Sequence, residues 1–390
     1  MARLPARPFR DRQPGHEDRL PADAPGDRCR PRADGVAHDG AGLFMADATE
    51  IATYVDAGTL LPLDEYVEKY DLKSKVFPWA LGLGFMDGHY YSIPHEFEAT
   101  MMVFNKSLLD ANGWKVPRTR EEFVAVCDAA MAGGLICIAQ GSAGNILVQQ
   151  FAFEKYLTNY AGPKAVRDLF KGAVTFSSPD IKGAFELLKS DWDKGYWNDR
   201  QSPAVTIAQA RSLWLEQRAL FLAEGTFTQR FIDSSPVAFE WGATSWPSMR
   251  DGVPSASGIA IGAVMAVSKY TKHADVAGAL MGYMYERKDL MLEGVGKGLQ
   301  PRATPFAISD VPGDMAPSTR TMLTALLDVT KDPDNVGYAP WTFFPTKTNQ
   351  YLMETLDTLF YDEIGLDDFL AAAQKVLDAE LADGYEFGAP

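Results

Sequence analysis

This 390-residue sequence has no apolar run long enough to cross a bilayer. The longest, near Gly258–Val267, is well short of the roughly 20 residues that a membrane-spanning helix needs. Three cysteines are too few for a disulfide framework, and we expect Cys127 and Cys137 to be two packed thiols in apolar surroundings, with a bridge or a reactive pair as the alternative. An excess of positive charge is also missing. The formal net charge of −15 argues against nucleic acid as a partner, because nucleic-acid binding needs a basic face.

Signatures of catalysis are missing as well. The sequence contains no G-x-S-x-G and no H-E-x-x-H, although His95 precedes Glu96. The run GVGKG at residues 294–298 has no Ser or Thr after its lysine and no strand before it, unlike a phosphate-binding loop. Glu96 and Glu98 lie side by side on one strand, so they cannot flank a glycosidic bond as a hydrolase pair does. A carbohydrate-active enzyme is therefore the less supported alternative to a binding protein.

The first 42 residues lack lysine and nearly all periodic apolar residues. They contain eight arginines and six prolines, and no charged region leads into an apolar core as in a secretory signal. Such a composition cannot bury enough surface to offset its ordering entropy, so we expect residues 1–42 to be disordered. We interpret the segment as non-native, from a shifted reading frame or a misplaced start; a natural disordered tail is the alternative.

The remainder of the chain has the composition of a globular protein, with 46% hydrophobic and 12% aromatic residues. Helical and strand-like periodicity alternate along it, which predicts an α/β fold with helices covering the sheets. The predicted helices span 123–131, 146–160, 181–194, 207–222, 274–292, 319–328, 348–360 and 366–381. The predicted strands span 92–93, 101–104, 136–139, 220–223, 239–243 and 259–267.

The most informative segment reads GHYYSIPHEFEATMMVFNKSLLDANGWKVPRTREEF from residue 88 to 123. Two strand-like runs precede Asn105-Lys106, a short helix ends at Asn112-Gly113, and Thr119 stands three residues before Glu122, as in a capping box. This order of parts resembles the extracellular solute-binding proteins of bacterial ABC importers, in the sugar-binding branch that includes maltose-binding protein. The runs AGTLLPLD at 57–64, GIAIGAVMAVSK at 258–269 and GLQPR at 298–302 resemble further motifs of the same family.

The resemblance implies a two-lobe periplasmic-binding-protein fold of type II with a hinged cleft between the lobes. Residues 43–105 plus 263–311 would form the N-terminal lobe, incomplete because its usual first strand–helix–strand unit has no counterpart here. Residues 106–262 plus 312–390 would form the C-terminal lobe. The chain would cross between lobes near residues 105–106 and 261–262, where a few residues absorb the hinge motion.

A sugar site needs aromatic plates for the C–H faces of the ring, and carboxylates, amides or arginine for its hydroxyls. By resemblance, Glu98 is the cleft carboxylate, Glu96 a weaker second one, and Asp47 lies on the first ligand-contacting turn. Each of these acids has an alternative as a solvated surface group. The resemblance also implies that the turn Gly225-Thr226-Phe227 presents an aromatic ring to the sugar, with Phe227 in the place of the commoner Trp.

Four further residues complete the predicted site. Ser257 and Gly258 offer a hydroxyl and a close backbone approach, Arg302 offers a guanidinium, and Trp341 is a stacking plate. Phe227 and Trp341 have the alternative of being core residues. The same Gly225, Ser257 and Arg302 would also suit glycerol-3-phosphate or another polyol phosphate, which we keep as the alternative ligand class.

The resemblance further implies the partners and the place of action. A closed, ligand-loaded form would dock on the two membrane subunits of an ABC permease that carries a cytoplasmic ATPase. We expect a monomer, periplasmic or extracellular and membrane-associated, with no cofactor, no metal and no nucleic-acid partner.

Overall fold

The computed structural model describes residues 42–144, 149–235, 237–332 and 336–387. The predictions for residues 1–41 therefore lie outside the described residues. The described chain alternates strands and helices, which confirms the α/β class. No helix in the described part is both long and apolar enough to cross a membrane.

A seven-stranded sheet is organised around one long strand. The strands are β1 (Leu43–Ala46), β2 (Phe85–Met86), β3 (His89–Tyr90), β4 (Ser92–Asn105), β5 (Ile136–Ala139), β6 (Ala219–Gly225), β7 (Trp241–Thr244), β8 (Gly258–Val267) and β9 (Gly337–Tyr338). The order is β1-β8-β4-β6-β5, while β7 pairs with β4, β9 pairs with β8, and β2–β3 form a separate hairpin.

Strand β4 joins the two halves of this sheet. Its first half, Ser92 to Ala99, pairs with β8, and its second half, Thr100 to Asn105, pairs with β6 and β7. The sequence predicted two short strands here, 92–93 and 101–104, and that separation is wrong. The polar residues Glu96, Glu98 and Thr100 interrupted the apolar pattern, yet their backbone continues the ladder.

Seventeen helices of the described chain cover the sheet. They are α1 (Ile51–Asp56), α2 (Asp64–Lys69), α3 (Leu72–Lys75), α4 (Pro78–Gly82), α5 (Lys106–Ala111), α6 (Arg120–Ala132), α7 (Gln150–Tyr156), α8 (Pro163–Phe170), α9 (Pro179–Asp193), α10 (Ile207–Leu215), α11 (Gln229–Asp233), α12 (Ala274–Glu286), α13 (Lys288–Gly296), α14 (Pro317–Val329), α15 (Pro340–Phe343), α16 (Thr346–Phe360) and α17 (Leu366–Ala382). A π-helical turn, Leu157–Ala161, extends α7, and short 3₁₀ turns, one of them Ala48–Glu50, link several elements.

Local sequence signals explain several helix boundaries. The Thr119 hydroxyl accepts a hydrogen bond from the Glu122 amide and begins α6, as predicted, although the Glu122 carboxylate bonds the Arg118 amide instead of the Thr119 amide. The predicted helix 207–222 is too long. It ends at Leu215 because Gln217 takes a positive φ of 58° and turns the chain into β6. The predicted helix 274–292 is divided into α12 and α13 at Arg287.

The two described cysteines form a disulfide, so the expectation of two packed thiols is wrong. Cys127 on α6 and Cys137 on β5 are bonded, with their Cα atoms 5.0 Å apart. Gly134, with a φ of +79°, turns the chain sharply after α6 and returns β5 alongside the helix. Both sulfurs are fully buried, which is why the apolar context alone predicted free thiols.

Candidate ligand-binding site

Three acidic residues meet where β1, β8 and β4 lie side by side. Glu96 pairs with Ala263 across β4 and β8, and Ala46, the last residue of β1, pairs with Val264. Asp47 follows directly and so lies beside the same short segment of β8. The Glu98 carboxyl group lies over Gly262, where an added Cβ would be 2.5 Å from its carboxyl carbon. A side chain at position 262 would displace Glu98.

The environment of Glu98 changes its ionisation. Burial, followed by the negative charges of Glu96 and Asp47, raises the pKa of Glu98 to about 8. Only 6% of this residue is exposed, and its carboxyl group has no hydrogen-bond or ion-pair partner among the described residues. The structure therefore brings together all three acids that were predicted for the site, and it keeps Glu98 as a neutral acid at pH 7.

Asp47 lies at the entrance of the turn Ala48–Glu50. The Asp47 amide donates to the Glu50 carboxylate at 3.2 Å, which holds the start of this turn. The turn packs against the short helix α15, and Thr346 just beyond α15 donates from its hydroxyl to the Thr49 carbonyl at 3.2 Å. The turn that follows Asp47 and the C-terminal aromatic segment are therefore in direct structural contact.

An aromatic cluster is formed by residues of the turn after β6, of α7 and of α15. Phe227 and Trp341 have ring centroids 6.4 Å apart, and Phe151 on α7 contacts both, at 5.7 Å from Phe227 and 5.5 Å from Trp341. Phe227 and Trp341 are partly exposed. The sequence analysis missed Phe151, because it lies in a run of apolar helical residues that contains nothing to separate a site residue from a core residue.

The turn after β6 connects the aromatic cluster to the acids. The Ala99 amide, next to Glu98, donates to the Thr226 hydroxyl at 3.3 Å. A Cβ on Gly225 would lie 2.7 Å from the Ala99 carbonyl and 2.5 Å from the Phe227 ring, so glycine is required for this close approach. Gln300, a further residue absent from the prediction, fixes the turn with a 3.1 Å hydrogen bond from its amide to the Thr226 carbonyl.

Ser257 lies on the other face of the sheet. Its hydroxyl contacts the Met101 sulfur at 3.8 Å and the Ser245 hydroxyl at 2.9 Å. Because Met101 and Glu98 are three residues apart on one strand, their side chains point to opposite faces. Ser257 instead lines a polar cavity of about 260 Å³ together with Arg118, Ser245, Asp328 and Asp332.

Gly258 and Arg302 also have separate surroundings. The Gly258 amide donates to Thr100 at 2.9 Å, and a Cβ there would lie 2.6 Å from a carboxylate oxygen of Glu154. Arg302 is partly buried near Tyr285 and Met291, and burial lowers its pKa. Within the described part of the chain, Nε and Nη1 of Arg302 have no hydrogen-bond partner. The structure thus groups seven of the ten predicted residues and places Ser257, Gly258 and Arg302 elsewhere.

The described residues contain no cluster of three or more His, Cys, Asp or Glu side chains arranged to hold a metal ion. The three acids at β8 therefore lack the geometry of a metal site. What they offer is a set of hydrogen-bonding oxygens beside aromatic faces, which suits a polar organic ligand with apolar surfaces.

Comparison with known proteins adds the family. A family model described as bacterial extracellular solute-binding protein matches residues 25–290, beginning inside the segment 1–42 that we interpret as non-native. A maltotriose-binding protein of Pyrococcus abyssi is 33% identical over 92 residues, which cover 24% of this chain but only 19% of that protein.

Solved structures share the fold over most of the chain. A chitin oligosaccharide binding protein superposes with a TM-score of 0.75 at 21% identity, covering 88% of this chain and 84% of that one. An ABC substrate-binding protein from Listeria monocytogenes in complex with cycloalternan gives a TM-score of 0.67 at 15% identity, over 88% of this chain and 86% of that one. These likenesses confirm the two-lobe fold; the lobe boundaries remain predictions.

Proposed function

This chain belongs to the bacterial extracellular solute-binding proteins, and we propose that it captures a sugar or oligosaccharide in a cleft between two lobes for an ABC importer. The observation that supports this most directly is that the turn carrying Phe227 is hydrogen-bonded to Ala99, next to Glu98, while the helix carrying Trp341 packs on the turn that follows Asp47. Carboxyl oxygens bind sugar hydroxyls, and aromatic faces bind the C–H faces of the ring. The names of the similar proteins, with chitin oligosaccharide, maltotriose and cycloalternan as ligands, favour the same class.

The proposed mechanism is capture without chemical turnover. Residues 43–105 plus 263–311 would form one lobe, and residues 106–262 plus 312–390 the other. Strand β4 continues from one half of the sheet to the other, so a hinge there would move the acids relative to the aromatic cluster. A ligand that contacts both lobes shifts the population towards the closed form by its higher affinity for that form.

The alternative ligand, glycerol-3-phosphate or another polyol phosphate, has less support. An anion in this site would face the charges of Glu96 and Asp47, and like charges at close range cost several kcal/mol. Arg302, the guanidinium predicted to bind an anion, lies near Tyr285 and does not contribute to the electrostatics of Glu98. A neutral or cationic ligand fits the described charges better.

The partners and location follow from the proposed function. The loaded, closed form would dock as a monomer on the membrane subunits of a permease with a cytoplasmic ATPase. The family description places such proteins outside the cell. The disulfide between Cys127 and Cys137 supports an oxidising compartment, since such bonds are rare in reducing cytosol.

A thermal-shift screen of the full chain against neutral oligosaccharides, amino sugars and glycerol-3-phosphate tests the proposal, followed by calorimetry on each compound that raises the midpoint. We expect carbohydrates to bind without any requirement for phosphate. Trp341→Ala should weaken that binding while the unliganded protein keeps its unfolding midpoint. Binding of glycerol-3-phosphate alone would establish the alternative, and a response to no carbohydrate would refute the proposed function.

A further inference from the structure

The buried carboxyl groups of this protein differ in whether they accept hydrogen bonds from the protein, and this difference bears on the ligand. Five carboxylic side chains are buried in the described residues: Glu98, Glu154, Asp191, Glu224 and Glu380. Four of them accept hydrogen bonds from the protein, from donors that include Thr158, Arg120, Arg211 and Thr348. Glu98 accepts none. The Glu98 side chain is therefore enclosed by the protein, while its carboxyl oxygens keep contact with solvent and stay available to a partner that the chain itself does not supply.

The surroundings of Glu98 define the charge of that partner. Glu96 lies on the same strand and also has no ion-pair partner among the described residues, and Asp47 adds a second negative charge near Glu98. No basic side chain of the described chain contributes to the electrostatics of Glu98. A ligand with a positive charge would therefore remove repulsion between the acids, whereas a neutral ligand leaves it in place.

The neighbouring aromatic rings also favour a positively charged ligand. Phe227 follows Thr226, whose hydroxyl accepts from the Ala99 amide next to Glu98, and the rings of Trp341 and Phe151 contact Phe227. Aromatic faces attract cations through their quadrupole, most strongly where water is excluded. They also stack on the C–H faces of a sugar ring. A carbohydrate that carries an ammonium group uses both properties at once.

We propose that the ligand of this site is an amino sugar, in which a protonated amine is bound by Glu98 and Glu96 and the ring is stacked on Trp341 and Phe227. This inference rests on the proposed function and narrows it to a substrate class. On binding, the ammonium group takes the place of the proton that Glu98 carries in the empty protein. That proton is released to solvent, so the charge of the complex is balanced.

The test is isothermal calorimetry on the full chain with three trisaccharides of the same linkage: a β-1,4-linked glucosamine trimer, its N-acetylated counterpart and cellotriose. The pH is held where the amines are protonated. We expect the glucosamine trimer to bind at least tenfold more tightly than either neutral trimer. Its binding enthalpy should change with the ionisation enthalpy of the buffer, corresponding to release of close to one proton, whereas the neutral trimers should release none.

Two variants separate recognition from folding. Glu98→Gln keeps the shape and removes the charge, so it should reduce the preference for the amine over the neutral trimers to about twofold. Glu96→Gln should reduce the preference by a smaller factor. Neither should lower the unfolding midpoint, because each removes repulsion between acids. Neutral trimers that bind as tightly as the amine in the unmodified chain would overturn the inference and leave the proposed function standing. Failure of every carbohydrate to bind would overturn both.

Discussion

Glu98 and Glu224 are two buried glutamates near the middle of the same sheet, and they have opposite surroundings. Glu224, on β6, is 3% exposed and accepts two hydrogen bonds from Arg211, at 2.8 and 2.7 Å, and one from Thr228 at 2.6 Å. Glu98, on β4, is 6% exposed and accepts none. The difference separates a carboxylate that is part of the folded framework from one that is available to a ligand. Burial alone does not distinguish the two glutamates. The hydrogen-bond donors around each carboxyl group do.

The largest effect on stability should come from removing the hydrogen-bond partner of Glu224. Arg211→Met removes the bidentate partner and leaves Glu224 buried without compensation, which costs about 3–5 kcal/mol of unfolding free energy. Urea denaturation of the empty protein measures it. Arg211→Lys is the control and should recover part of the loss, because it restores the charge without the fork geometry. A loss below about 1 kcal/mol would show that Glu224 is not held as a buried ion.

The carboxyl group of Glu98, which accepts no hydrogen bond from the described residues, leads to a prediction about how stability depends on pH. The pKa of Glu98 is raised from 4.5 to about 8 in the folded protein, so between these values the folded state binds a proton that the unfolded state has lost. The stability that Glu98 contributes is therefore complete below pH 4.5 and falls as the pH rises towards 8. Between pH 5 and pH 7 this loss is on the order of 2–3 kcal/mol.

The measurement is the difference in unfolding free energy between the original chain and Glu98→Gln at several pH values. Taking the difference removes the contributions of the other titrating groups, except for those coupled to Glu98, which are Glu96 and Asp47. The variant should gain stability relative to the original as the pH rises. A difference that stays constant from pH 5 to pH 8 would contradict the raised pKa.

The fold class and the positions of the acids could be predicted from the sequence, whereas the hydrogen-bond partners of the buried carboxyl groups could not. The family motifs and the alternation of periodicities predicted the α/β class, and the resemblance predicted the two-lobe fold. The acids Asp47, Glu96 and Glu98 were predicted individually and lie together in the structure. That Glu98 has no hydrogen-bond partner among the described residues could not be predicted, because donors such as Arg211, thirteen residues from Glu224, are brought to a carboxylate only by the fold.

Predictions from local sequence pattern were wrong where tertiary contacts determine the structure. Cys127 and Cys137 looked like packed thiols because both lie in apolar runs, and only the turn at Gly134 brings them within bonding distance. Ser257 precedes the return strand, as the family motif requires, yet strand parity directs its side chain away from Glu98. The position of a residue in a motif predicts where its backbone lies. The direction of its side chain depends on the register of the strands, which the motif does not give.

The aromatic cluster should contribute to binding more than to folding. Trp341→Ala removes a partly exposed ring that contacts Phe151 and Phe227, so a sugar loses its stacking surface. We expect the dissociation constant for the tightest carbohydrate to rise about thirtyfold, close to 2 kcal/mol. Calorimetry gives the affinity and thermal unfolding gives the stability. Trp341→Phe is the matched control and should retain most of the affinity; a large fall in the unfolding midpoint of the alanine variant would identify Trp341 as core.

The smallest effect should come from Ser257, which the sequence analysis assigned to the same site as Glu98. Its hydroxyl bonds Ser245 and contacts Met101, on the face of β4 opposite to the acids. Ser257→Ala should therefore change the affinity for a carbohydrate less than twofold, and cost about 1 kcal/mol of stability through the lost hydrogen bond. A tenfold loss of affinity in the same calorimetric assay would mean that the ligand reaches the cavity around Arg118 and Ser245. The two faces of the strand would then belong to one site.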